Sequence, residues 1–135
     1  MRSAAIIVML GAALATGCGL NVTSADLFVL TRTGQGQTLT MLVNDGGTIR
    51  CNGGHTRALP NALLLRARDI ASSLDKDVKA HMKFQPKANT VFTYKVELQD
   101  GTLTFADTSA KGHSELAQAE LFAVQAAQSA CGIAA

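Results

Sequence analysis

The chain has 135 residues, a formal net charge of +2 at pH 7, 47% hydrophobic residues and no tryptophan. One domain fits that length, with a core modest enough to gain from a covalent staple. So small a charge excess gives no basis for a nucleic-acid partner or for tight adhesion to an acidic surface.

The N-terminus reads as an export signal. Met1-Arg2-Ser3 supplies one positive charge, and Ala4 to Ala15 is an apolar run of 12 residues broken only by Gly11. A helix needs about 20 apolar residues to span a bilayer, so this run fits the core of a secretory signal rather than a membrane anchor. Ala15-Thr16-Gly17-Cys18 resembles a lipobox, the pattern at which bacterial lipoproteins are acylated and cut. That implies a signal peptide over 1–17 and a lipid-bearing Cys18, carrying palmitate-type acyl chains and facing outside the cytoplasm. Residues 18–25 then form a short tether, whose reach of about 25 Å keeps the domain over 26–135 close to the membrane. The alternative is plain secretion, with Ala13-Leu14-Ala15 as an ordinary cleavage site. Cysteine arithmetic favours the lipid. Of Cys18, Cys51 and Cys131, lipidation uses one and leaves a pair that can form a disulfide in an oxidising compartment.

Within the domain, Leu27 to Thr31 is β-branched and apolar, and Thr33-Gly34-Gln35-Gly36 reads as a turn. Thr38 to Val43 alternates, with Leu39, Met41 and Val43 on one face. Asn44-Asp45-Gly46-Gly47 is a hairpin signal, and Thr48 to Cys51 returns. Pro60 opens a helix as its first residue, with Leu63, Ala67, Ile70, Ala71 and Leu74 on one stripe. Phe92, Tyr94, Val96 and Leu98 alternate inward. Asp100-Gly101 turns the chain, and Leu103 and Phe105 follow. Ser114 is the expected cap of a last helix, with Glu115 and Glu120 near its positive end. Its stripe is read as Ala117, Leu121, Val124 and Cys131, widened by Leu116 and Phe122, and Gly132 ends it.

These elements predict an α+β fold: an antiparallel sheet of about five strands with two helices on one face. The Asp45-Gly46 and Asp100-Gly101 turns lie 55 residues apart. They suggest a duplicated ββα unit running from Leu39 to Leu74 and again from Phe92 to Ala130.

Chemistry is sparse. His55, His81 and His113 have no metal-ligand spacing, no G-x-S-x-G nucleophile turn occurs, and the carboxylates are scattered. The reading is therefore of a non-enzyme without cofactor or metal, unless folding brings His55 and His113 together. The expected partners are the membrane, through the lipid, and an unknown protein, peptide or cell-wall ligand.

Finally, Leu30-Thr31-Arg32-Thr33-Gly34, the helix entry at Leu59-Pro60 and Phe92-Thr93-Tyr94…Asp100-Gly101 together resemble the emfourin family of bacterial proteins. The resemblance implies inhibition of a thermolysin-type metallopeptidase. It places the contact at Arg32, Thr33, Gly34, Gln35 and Gly36, with Gln35 standing where the family has glycine.

Overall fold

The computed structural model describes Val22 and residues 25–134. The expected signal segment 1–17, Cys18 and most of the expected tether over 18–25 lie outside the described residues.

Six strands make one antiparallel sheet: β1 (Asp26–Gly34), β2 (Gln37–Asn44), β3 (Thr48–Cys51), β4 (Thr56–Ala58), β5 (Phe92–Leu98) and β6 (Gly101–Ala106), in the spatial order β4-β3-β2-β1-β5-β6. The expected meander and second hairpin are present, and β4 is one strand beyond the expectation. Its three residues are all exposed, so it carries no apolar alternation to read. It forms because the chain doubles back after Cys51 and pairs Arg50 with Thr56 and Thr48 with Ala58.

Register places the apolar positions in rows. Cys51, Met41, Leu30, Val96 and Leu103 are successive cross-strand partners, and Leu39, Arg32, Tyr94 and Phe105 form the next row. The helices α1 (Asn61–Lys79) and α2 (Ser114–Ala126) cover this face. Pro60 lies just before the helix, where its carbonyl accepts from Leu63 and Leu64. His113, not Ser114, occupies the cap position of α2 and accepts from Ala117.

The buried face of α2 is Leu116, Ala119, Phe122, Ala123 and Ala126, while Leu121 and Ala117 are exposed. The expected stripe is thus rotated. Alanines at 119, 123 and 126 let the helix approach closely, and Phe122 meets Phe28 edge-on at 5.6 Å. A π-helical turn, Ala127–Cys131, then re-phases the end of the helix so that Ala127, Ala130 and Cys131 all face inward. Gly132 closes it in the left-handed conformation. Cys131 bonds to Cys51, with Cα atoms 5.8 Å apart.

Strand directions are compatible with a twofold axis normal to the sheet between β1 and β2, as in any six-stranded sheet that is antiparallel throughout. It exchanges β1 with β2, β3 with β5 and β4 with β6, with directions matched. The helices obey it too. α1 starts beside β4, where Leu59 donates to Gly47, and ends at the β5–β6 turn, where Lys79 pairs with Asp100 at 3.2 Å. α2 starts past β6 and ends on β3 through Cys131. The related units are therefore β3-β4-α1 and β5-β6-α2. The expected repeat matches the Asp45-Gly46 and Asp100-Gly101 turns, which pairs β2-β3 with β5-β6. The axis instead relates the β2–β3 neighbours to β1 and β5, which no turn connects.

Candidate functional site

Two of the concavities among the described residues bear on function. The larger, about 620 Å³, is the open groove between α1 and the start of α2. Leu65, 60% exposed, stands on its α1 side. Asp69, Lys76, Asp77 and Glu115 supply its charge. Arg66, which also lines the groove and adds to its charge, hydrogen-bonds Gln125. Oδ2 of Asp77 is buried without a hydrogen-bond partner among the described residues. Burial raises the Asp77 carboxyl above the usual range, the charge of Glu115 adds to the rise, and His113 opposes it. His113 is itself fixed, with Nδ1 3.3 Å from Glu115 Oε1 and its ring edge-on to Phe84 at 4.8 Å.

The smaller concavity, about 110 Å³, sits where the helix-covered face of the sheet runs out, at the β1–β2 turn. Arg32, Gly34, Gln35 and Gln37 line it together with Leu39, Asn52, Phe92 and Ile133. Gln35 and Gly36 have φ of 53° and 72°, so two residues with positive φ make the turn between the paired Gly34 and Gln37. Gly34 is required sterically: a Cβ there would lie 2.5 Å from the Phe92 ring. The guanidinium of Arg32 lies over that ring, 4.9 Å from its centroid.

Behind Arg32 is a group of ionisable side chains that neither periodicity nor motif picks out. Tyr94 stacks on Phe105 at 5.1 Å. Burial pushes its hydroxyl up to about 12, with Glu120 adding and Arg32 opposing. Asp107 accepts from the backbone N–H groups of Val91, Phe92 and Thr108. Glu120 does not serve the helix end as expected; its Oε1 is buried without a hydrogen-bond partner among the described residues. Burial first, then Asp107, pushes its carboxyl up to about 7.

Because the folded state holds that proton more tightly than the unfolded chain, this contribution to stability is complete below about pH 4.5. It is lost as pH rises through about 7. Glu120→Gln should therefore match the parent protein in urea unfolding near pH 4 and exceed it near pH 8. The gain should be on the order of 1 kcal/mol, well under full linkage because the side chain is half-exposed.

The sequence-predicted residues are only partly assembled. Arg32, Thr33, Gly34, Gln35 and Gly36 share one turn, from which Arg32 folds back over Phe92 while Thr33, Gln35 and Gly36 are exposed. Cys51 and Cys131 are joined. His55 and His113 are not brought together. His55 lies in the β3–β4 connection at one edge of the sheet, and His113 follows β6 at the other. Among the described residues no three His, Cys, Asp or Glu side chains gather as a metal set, and no helix is long and apolar enough to cross a membrane. Comparison with known protein families, characterised proteins and solved structures finds no match.

Proposed function

We propose that this chain is a bacterial envelope lipoprotein, a non-enzymatic binding module held at the membrane surface by acyl chains on Cys18. The observation that carries the reading is the Cys51–Cys131 bond. A disulfide between distant elements suits an exported protein, and it accounts for two of the three cysteines. The cysteine left over is the one that follows Ala15-Thr16-Gly17. The open groove between the helices, with Leu65 beside mixed charges, suits contact with a protein, peptide or wall component rather than enclosure of a small molecule.

Cys18→Ala should abolish incorporation of labelled palmitate and move the protein from the membrane fraction to the soluble fraction. A variant that stays in the membrane fraction would refute the lipid anchor, and an unlabelled parent protein would do the same.

A second reading, inhibition of a thermolysin-type metallopeptidase, rests on the emfourin resemblance. The geometry of the β1–β2 turn favours it. A two-residue turn with positive φ at both positions holds Thr33, Gln35 and Gly36 on a narrow exposed tip, and a preordered tip costs little entropy to bind. Stoichiometric loss of such a peptidase's activity on a small fluorogenic peptide, with the protein left uncut, would separate this reading from the first.

A further inference from the structure

The 110 Å³ cup at the β1–β2 turn has one charged lining residue, Arg32. A guanidinium drawn partly out of water gains from a counter-charge that also accepts its N–H groups. Among the described residues, the ion pairs involve other groups: Arg68 with Asp45, Lys79 with Asp75 and Asp100, Lys95 with Glu97, and His113 with Glu115. The acids that act with Arg32 on Tyr94 do not fill the role. Asp107 is engaged by three backbone N–H groups, and neither Asp107 nor Glu120 lines the cup. One face of the guanidinium is taken by the Phe92 ring and one N–H bonds the Tyr94 hydroxyl, which leaves its remaining N–H groups as the polar part of the site.

The rest of the cup complements a single negative charge. Asn52 is locked to β2 at both ends: its N–H donates to Thr40 O at 2.8 Å, and its Oδ1 accepts from Thr40 N–H at 2.9 Å. Its side-chain NH₂ therefore remains as a donor. Gln35 and Gln37 add neutral amides at the rim, while Leu39 and Ile133 make an apolar wall. Ile133 is held in place by its N–H bond to Ala127 O at 2.8 Å. The volume is about that of three to four waters, enough for a carboxylate and one small side chain.

We infer that the cup binds the terminal carboxylate of a peptide ending in a small residue, with Arg32 as its counter-charge and Phe92 as the platform that orients Arg32. One guanidinium balances one carboxylate in a planar fork, whereas a phosphate dianion would bring a second charge with no second cation in the lining. Such a carboxylate is offered by protein tails and by wall peptides alike. The site does not depend on the lipid anchor, so the two proposals fail separately.

The full chain, purified in detergent, is titrated with N-acetyl-Ala-Ala in its L,L and D,D forms and with the corresponding amide. Tyr94, the chain's only tyrosine, is the fluorescence reporter, since the charge of Arg32 acts on it. Saturable binding of a free acid, with the amide inactive, is the expected result. The enantiomer preferred names the source, L for a protein tail and D for the wall. Arg32→Gln should weaken binding roughly tenfold or more, and Arg32→Lys should fall between, because the charge stays and the fork is lost. Unfolding curves matching the parent protein would show that each variant is folded. Equal binding of acid and amide, no saturation by either acid up to millimolar concentration, or undiminished binding by a folded Arg32→Gln would each overturn the assignment.

Discussion

Replacing Cys51 and Cys131 together by serine should lower the stability of this domain by about 4.5 kcal/mol, the chain-entropy value for a closed loop with a sequence separation of 80. The bond ties the last turn of the chain's final helix to β3, so β4, α1, β5, β6 and α2 lie inside the loop it closes, while β1 and β2 lie outside it. A domain of this size is stable by only about 5–15 kcal/mol, so the unbridged protein should lie near the edge of folding at 37 °C. Urea unfolding with and without reductant measures it. Reductant should move the midpoint of the parent protein down to that of the double serine variant and leave the variant's own midpoint unchanged. Equal midpoints for parent and variant in the absence of reductant would mean that α2 docks as firmly without the bond. The same bond positions the cup, because Ile133 follows Cys131 by two residues and lines it.

Most of the fold is legible where burial acts on one face of a regular element. Leu39, Met41 and Val43 alternate because every second β2 residue meets the helices. Leu63, Ala67, Ile70 and Leu74 recur because α1 lays a single stripe on the sheet. Asn44 marks its turn through a local bond, with Oδ1 accepting from Gly46 N–H at 2.8 Å. Legibility fails where geometry depends on distant parts. β4 has no buried residue to announce it. In α2 the apolar residues run almost all round, so pattern alone could not choose Phe122, Ala119 and Ala123 over Leu121. The choice follows from how closely alanines let α2 approach. The π-helical turn that delivers Cys131 to Cys51 has no sequence signature, although the pairing itself follows from counting cysteines.

The site is less legible than the fold. The β1–β2 turn is visible in Thr33-Gly34-Gln35-Gly36, but what makes it a cup is not. In the sequence Arg32 is singled out only as part of the turn that the family resemblance marks. It lies in the row of Leu39, Tyr94 and Phe105 because register puts it on the helix-covered face, just past the end of that cover. Glu120 looks like a helix-end acid, and only packing shows its oxygen cut off from water and partners. In both cases the chemistry comes from where a side chain is placed, not from its type or spacing.

Phe122→Ala should cost about 4 kcal/mol, the range for deleting a fully buried aromatic ring from a core that cannot collapse around the gap. Phe122 is completely buried, as are Phe28, which it meets edge-on, and Leu116, Ala119 and Ala123 on its own helix. Those alanines are already as small as the gap is large, so nothing nearby can fill it. The disulfide sharpens the test, since ring and bond both hold α2 to the sheet at different points along the helix. With the bond intact, the variant should still unfold in one transition at a lower urea midpoint, because the helix stays tethered and redocks. With Cys51 and Cys131 also replaced, the summed loss of roughly 8–9 kcal/mol meets or exceeds the stability of many domains this size. The triple variant should then lose the far-ultraviolet helix signal in buffer alone. A triple variant that unfolds cooperatively with a measurable midpoint would show that β1–β6 and α1 form a stable unit and that α2 is an accessory layer on it.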